Sequence, residues 1–432
     1  MDEPSTQWSP SDLKARLTTS KSPRYALAKK EPAIYLADGR FHRSLRCPRT
    51  DKRVTFAEIG PSSGSPVLVF LPSVCTRYVA IYLDLLAEEL GVRLIAMDRP
   101  GCGGTERCEL RERLDVACMM TRSLVEHLNL TDMTLLACSA GFIHLLEYMR
   151  RYSGQTSASH PTVILVSPWV PGNRYLSLIP APLIEHQDVI LPSVQRTVGS
   201  TIQAYGRVKQ YASRILPARK ETPQVEASKK TNTASGEEEE GKKKRKKQKP
   251  PTTTLTAYSF ALSDHSGESE DLVSKYRVAE SMQGMGQEHL LCLGKDVPVQ
   301  QFGDVKCKVG SREWMQWTLA EIGRQVASTE NTVQKVEVHV WWGEKDGLVP
   351  KSARDYLDQI FTSESAMTAF SYHPRVLPGV GHDDPVSYLE GVGEALWVAR
   401  RRAEEAALSI EGDPRNEPDS QSIPTEAETI LN

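Results

Sequence analysis

The run Leu135-Leu136-Ala137-Cys138-Ser139-Ala140-Gly141-Phe142 ends an apolar stretch on a serine with small residues two positions to either side. A strand that turns into a helix at a serine strains the serine backbone, and only small neighbours let strand and helix approach each other. Ser139 would then stand exposed at the C-terminal edge of a sheet, backed by the free N–H groups and partial positive charge of the helix start. A hydroxyl attacks an acyl carbon only when a base takes its proton. Two later loops offer the base and a group to orient it. Trp341-Trp342-Gly343-Glu344-Lys345-Asp346-Gly347 follows a β-branched strand and sets a carboxylate at the same edge, and Gly379-Val380-Gly381-His382-Asp383 places a histidine between small residues that leave it free to reach Ser139. His382 can serve as general base while Asp346 holds its imidazole in the useful tautomer and stabilises the imidazolium. Singly, each has a plain alternative: an ordinary strand-to-helix turn, a turn-capping Asp, a structural His. The chain order Ser139, Asp346, His382, with each residue placed after a strand, is what joins them.

The elements that must position them alternate. Phe41 to Arg46, Arg53 to Ile59 and Val67 to Leu71 read as strands, a helix is expected at about Ala80 to Leu90, and further strands at Val92 to Met97, Met133 to Cys138 and Thr162 to Ser167 are separated by helices at Leu114 to Leu128 and Gly141 to Arg151. Strands alternating with helices predict an α/β fold with a mostly parallel central sheet covered on both faces. After Val170-Pro171-Gly172 the alternation gives way to a mainly helical run; it resumes with strands at Val336 to Trp342 and Ala369 to Leu377 and a last helix from about Pro385 to Leu408. The expected organisation is therefore an N-terminal arm (1–40, loosely held, with a weak helical stretch at Asp12 to Leu17), the core's first part (41–171), a helical cap (172–330), the core's second part (331–410) and a disordered tail (411–432). Within the cap, 217–254 has almost nothing to bury and is expected to be a disordered charged loop. Leu176, Leu178, Ile179, Leu183, Ile184, Ile190 and Leu191, and later Met282, Met285, Leu290, Leu291 and Leu293, could wall a hydrophobic pocket or simply pack the cap.

Composition excludes several function classes. The chain has 432 residues, with 53 Lys plus Arg against 55 Asp plus Glu and a net charge of -2, so it has no overall field to gather nucleic acid or an acidic membrane. Its apolar runs fall far short of the ~20 residues of a membrane span. The acidic start Met1-Asp2-Glu3-Pro4 carries no secretory pattern, and cytoplasmic retention is expected. The eight cysteines (47, 75, 102, 108, 118, 138, 292, 307) form no CxxC pair and read as reduced thiols, with no metal site among them. One local exception is Arg219 to Lys249, where eleven basic residues outnumber six Glu; Lys242 to Lys249 offers a nuclear-import signal or a contact with an anionic surface, or is a solvated loop partly cancelled by the Glu237 to Glu240 block.

On these residues the chain resembles the α/β-hydrolase fold superfamily, in its serine-nucleophile form with a helical cap between the sixth and seventh strands of the core. The resemblance spans about 41–171 and 331–410. It includes Asp98-Arg99-Pro100-Gly101-Cys102-Gly103-Gly104-Thr105, which matches the D-x-P-G-x-G-x-S/T loop after strand four, a structural turn expected to brace the elbow and no phosphate cradle. Two positions depart from the family pattern. Ala137 stands where Gly is usual, and Phe70-Leu71-Pro72-Ser73-Val74 stands where the family places His-Gly and draws half its oxyanion hole from the next backbone N–H. Proline has no N–H, so the resemblance implies the Ser73 and Ala140 amides as the oxyanion donors. Ser139 also separates the chain from the epoxide hydrolase and haloalkane dehalogenase branches, which by resemblance use Asp there; His144, five residues on, is not expected to be the base.

The function implied is hydrolysis of carboxylic esters, thioesters or lactones through an acyl-enzyme, with a small-molecule ester bearing a hydrophobic group as partner, water as co-substrate and no metal or organic cofactor. The two departures motivate a second reading: a catalytically weak or inactive α/β-hydrolase-like protein that keeps the pocket to bind a small molecule. A third makes the charged insertion and tails the working parts and the fold their scaffold.

Overall fold

A computed structural model describes residues 8–152, 162–172, 181–185, 268–328 and 335–411. Its strands are β1 (Arg43–Arg46), β2 (Arg53–Ile59), β3 (Ser65–Phe70), β4 (Val92–Met97), β5 (Thr134–Cys138), β6 (Thr162–Val166), β7 (Val299–Phe302), β8 (Val305–Lys308), β9 (Val336–Gly343) and β10 (Phe370–Leu377). Eight of these form one sheet in the order β1-β2-β4-β3-β5-β6-β9-β10. Every pairing from β4 to β10 is parallel, and β2 runs against both of its neighbours. This is the strand order of the α/β-hydrolase fold, and the mostly parallel, helix-flanked sheet expected from the sequence is the one the chain adopts.

The side-chain period of two divides the core between the two faces. Leu68, Phe70, Ile95, Leu135 and Ala137 pack on one side with Met120 of helix Arg113–His127, Leu146 of helix Gly141–Tyr152 and Leu319 of helix Arg312–Ser328. Val67, Val69, Leu94 and Leu136 pack on the other with Leu86 of helix Asp84–Leu90 and Leu396 of helix Glu394–Glu411. Because both faces are covered, β5 and β6 are buried along their whole length, as central parallel strands must be.

Four expectations change. The N-terminal stretch is helical at Pro10–Thr19, Pro23–Lys30 and Pro32–Leu36 and packed down rather than loose: Leu13, Leu17, Tyr35 and Leu36 are buried, the Tyr35 hydroxyl bonds the buried Asp84, and Trp8 lies 5.8 Å from Trp397. Each of these helices opens on proline, whose fixed φ suits a first turn, but the segments are shorter than the window that reveals a hydrophobic period. The helix expected over 80–90 is two, Arg77–Ile81 and Asp84–Leu90, and the last helix begins at Glu394 after a 3-10 turn at Asp384–Val386 and a π turn at Leu389–Gly393. Between β6 and β9 an antiparallel hairpin, β7–β8, interrupts the helices Ala181–Glu185, Glu268–Ala279, Gly284–Cys292 and Arg312–Ser328. Its signal was the two-residue Gly303-Asp304 turn, with Gly303 at φ 56°. Helix Lys351–Phe361, whose Ala353, Leu357 and Phe361 recur every four residues on the buried side, also precedes β10. The charged loop 217–254 and residues 412–432 of the tail lie outside the described residues. Among the described residues no helix is long and apolar enough to cross a membrane.

Candidate active site

Parallel strands end on the same edge of a sheet, so the loops after β5, β9 and β10 meet. Ser139 follows β5 directly at φ 47°, a left-handed conformation costly for a residue with a Cβ. Several contacts hold it there. Its N–H donates to Val166 O (3.1 Å), and its carbonyl accepts from Phe142 N (3.1 Å) and Trp169 N (3.0 Å). The helix Gly141–Tyr152 leaves the turn so close to β3 that a Cβ on Gly141 would lie 2.1 Å from Phe70 O, inside any real contact distance. Gly141→Ala is therefore expected to force the elbow and β3 apart, at a cost of about 1–3 kcal/mol in stability from overpacking; urea unfolding checks it, and an unchanged midpoint would mean the elbow yields easily.

The three sequence candidates come together. His382 Nε2 lies 2.8 Å from Ser139 Oγ, and His382 Nδ1 lies 2.8 Å from Asp346 Oδ2. The other oxygen of Asp346 accepts the Leu348 and Val349 amides, both at 2.8 Å, so the carboxylate is fixed from behind by its own loop. The Asp346 side chain is fully shielded and that of His382 is 6% exposed. An acceptor at Nδ1 places the imidazole proton there and leaves the Nε2 lone pair for the serine hydroxyl.

The two oxyanion candidates come from the elbow and from the loop after β3. Ala140 is buried in the elbow and Ser73 is half-buried in the loop after β3. Among the described residues neither amide donates a hydrogen bond to the protein. The residue after Ser73 is Val74, at φ 63°; a β-branched side chain in that region is a genuine outlier, of the kind that collects at functional sites. The Asp98-to-Thr105 turn braces this loop more than the elbow. Asp98 accepts from Arg77 N (2.6 Å) and Thr55 Oγ1 (2.7 Å), and a Cβ on Gly103 would lie 2.1 Å from its carboxylate.

A buried charge cluster, which no local pattern announces, lies against the same loop. Arg99 donates to Leu71 O and, at 2.6 Å, to Pro72 O, while its Nε lies 3.0 Å from Glu288 Oε2. Arg113 Nε donates to Glu288 Oε1 (2.7 Å) and His144 Nε2 approaches Glu288 Oε2 (3.3 Å). Burial pushes the Glu288 carboxyl upward, but Arg99, Arg113 and His144 outweigh it and hold it well below the usual carboxylate range. Burial also lowers His144, against the pull of Glu288; its Nε2 faces Glu288, which places His144 in this cluster. Arg77 similarly ties Asp98 to Glu280 (2.7 Å). Glu280 and Glu288 come from the segment between β6 and β9, where only tertiary contact reveals a buried acid.

Of the thiols near the site, Cys138 is buried and Cys75 half-buried. Burial pushes the Cys75 thiol up to about 11 and that of Cys138 up to about 12, which keeps both protonated and inert at neutral pH. Ile184, Met285, Leu290 and Leu291 are buried packing residues; Leu176, Leu178, Ile179, Ile190, Leu191 and the Lys242 to Lys249 run lie outside the described residues.

At the opposite edge Glu337, His339 and His373 offer ligand atoms within 4.8 Å of one another. The two rings are 22° from parallel with centroids 4.7 Å apart, so their lone pairs run side by side, and Arg402 sits 3.2 Å from the Glu337 carboxylate. This is a stacked pair in cationic surroundings, a poor cradle for a cation. Burial, then His373, Arg402 and Arg375, lower His339 to about 3. With a folded value below the unfolded value of about 6.5, the unfolded state takes the proton first, so stability is lost as pH falls from about 6.5 toward 3, by at most about 1.4 kcal/mol per pH unit. His339→Gln is expected to flatten that slope in urea titrations across pH 4 to 7; an unchanged slope would mean another group carries it.

No protein-family model matches the chain, and no curated protein matches it in sequence. Solved structures do align with it. A carboxylesterase from the Thaumarchaeon Nitrososphaera gargenis is 14% identical, with 86% of this chain and 97% of that one covered and a TM-score of 0.41. An esterase from Rhodococcus sp. ECU1013 is 13% identical over 86% and 99% of the two chains, at a TM-score of 0.45. A proline iminopeptidase from Mycobacterium smegmatis is 16% identical over 85% and 100%, at a TM-score of 0.42.

Proposed function

We propose that this chain of α/β-hydrolase fold is a serine hydrolase of carboxylic esters, with thioesters and lactones as chemical neighbours, and that Ser139, His382 and Asp346 are its catalytic residues. The observation that carries the reading is the unbroken relay of two 2.8 Å contacts from Ser139 Oγ through the imidazole to Asp346 Oδ2. In this reading His382 Nε2 takes the hydroxyl proton as Oγ bonds to the acyl carbon. Negative charge gathers on the former carbonyl oxygen, where the Ser73 and Ala140 amides receive it. The C–O bond to the alcohol breaks, His382 returns the proton to that leaving oxygen, and the acyl group stays on Ser139. Water, deprotonated by the same imidazole, then releases a carboxylic acid and restores the serine.

The second reading, a binding protein with weak chemistry, draws on Ala137 in place of the usual Gly and, more, on Pro72, which removes an N–H donor from the loop where the family resemblance expects a strong oxyanion contact. A fluorophosphonate probe separates the two. A hydrolase carries the adduct on the peptide containing Ser139, found by mass spectrometry after digestion; a folded protein that takes none overturns the enzyme reading.

A further inference from the structure

We propose that Arg99 is a positioning residue for the Ser73 amide, and that Glu288, from the segment inserted between β6 and β9, holds Arg99 to that task; the catalytic part of this rests on the hydrolase reading above. Pro72 C=O and Ser73 N–H are the two ends of one trans peptide unit, and in such a unit they point in opposite directions. A guanidinium seated on the Pro72 carbonyl therefore fixes which way the Ser73 N–H faces, namely away from Arg99. It also draws electron density from the amide, which makes the N–H a stronger donor. The second Arg99 bond, to Leu71 O, anchors the preceding unit, and Leu71 O is itself 2.8 Å from where a Gly141 Cβ would stand. One side chain thus sets the loop's orientation next to the elbow.

The loop has little else to hold it. The side-chain hydrogen bonds that reach the backbone from Leu71 to Arg77, among the described residues, come from Asp98 and Arg99. Its Val74 is held at φ 63°, a conformation that relaxes when surrounding contacts are removed. The contacts that supply the restraint are on Arg99, and those on Arg99 depend on Glu288. Arg99 is 4% exposed and Glu288 1%; without the carboxylate the guanidinium would be a buried cation with only carbonyls to balance it, which is strongly unfavourable. Arg113, fully buried, grips the other oxygen of Glu288 and Pro100 O at 2.6 Å, so helix Gly284–Cys292 is docked onto the strand-four loop through the same cluster. The inserted segment and the donor loop after β3 are in this way one mechanical unit: seating the helix orients the amide.

A purely structural role for the cluster makes different predictions, and Arg99→Lys, Arg99→Met and Glu288→Gln in the full chain separate the two. In hydrogen exchange read by mass spectrometry, each folded variant is expected to exchange faster in the peptide covering 71–77 than wild type, with the peptide covering 141–152 unchanged. On p-nitrophenyl butyrate, kcat is expected to fall by ~10²–10³ for Arg99→Met, the loss typical of one oxyanion donor, and by less for Arg99→Lys, with KM within threefold. Inhibition by a trifluoromethyl ketone, which forms a tetrahedral adduct on serine, should weaken by the same factor as kcat/KM falls. A folded variant of Arg99 or Glu288 with unaltered exchange at 71–77 overturns the positioning role whether or not wild type hydrolyses esters. Faster exchange at 71–77 with kcat retained overturns its catalytic consequence. Should Arg99→Met fail to fold, Arg99→Lys and Glu288→Gln carry the test. Wild type that turns over no ester and takes no adduct on Ser139 overturns the hydrolase reading and the catalytic half of this proposal together, leaving the exchange result to judge the other half.

Discussion

Ser139→Ala is expected to lower kcat by ~10⁶ and to remove fluorophosphonate labelling altogether, the size of loss seen when the nucleophile of such a relay is deleted. The change removes one oxygen at the end of β5. The bonds that hold the turn are made by the Ser139 backbone to Val166, Phe142 and Trp169, and alanine keeps them all. Its Cβ meets the same strain at φ 47° that serine already bears. Unfolding in urea should therefore match wild type within about 0.5 kcal/mol, the ordinary range for a change that breaks no packing. A small residual rate over solution remains, because the amide donors and the binding surface are untouched. Kinetics on p-nitrophenyl butyrate with probe labelling in parallel decide the matter: a variant that keeps its rate or its label shows that another residue attacks.

Asp346→Asn is the second large effect, expected to cost ~10⁴ in kcat through the wrong tautomer. The local bonds make the direction of the failure clear. In the native loop Asp346 Oδ1 accepts two amides, those of Leu348 and Val349, and Oδ2 faces His382 Nδ1. Asparagine has a single acceptor oxygen, and two N–H groups compete for it on the loop side. With the oxygen kept there, the NH₂ group faces Nδ1, which must then act as acceptor. The imidazole proton moves to Nε2, the nitrogen 2.8 Å from Ser139 Oγ, and the base can no longer take the serine proton. KM should change little, since Asp346 does not face the acyl group. A larger loss from Asp346→Asn than from Asp346→Ala, which imposes no tautomer, would support the tautomer argument; wild-type turnover in either variant would remove Asp346 from the mechanism.

The parts legible in the sequence were those whose cause is local. The apolar runs of β5 and β6, buried on both faces, announce central parallel strands, and a small-x-Ser-x-Gly turn can be read because the constraint on Ala137 and Gly141 acts within four residues of Ser139. Asp346 and His382 were found because loops after parallel strands must share an edge. Arg99, Arg113 and Glu288 were not found, for a physical reason: a buried acid and a surface acid look alike until the partner 175 or more positions away is in place. Of the N-terminal helices only the stretch at Asp12 to Leu17 is legible, and weakly, because the apolar residues there are too few to show a clear period, although Leu13, Leu17 and Tyr35 are buried. The hairpin β7–β8 was overlooked in a region read by composition, where a two-residue Gly303-Asp304 turn was the one local clue. Pro72 was legible as a missing donor, but the guanidinium beneath it was not.

The pairing of β6 with β9 joins Thr162 to Glu337, about 175 positions apart. Closing so long a loop costs about 2 kcal/mol more chain entropy than closing one of about twenty residues, and contacts of such separation form slowly. Six of the eight strands of the sheet, β5 before Ser139 among them, are complete in sequence by residue 166, whereas β9 and β10, whose loops carry Asp346 and His382, follow only after the long inserted segment. A nascent chain released early is therefore expected to hold a shaped but unreactive serine.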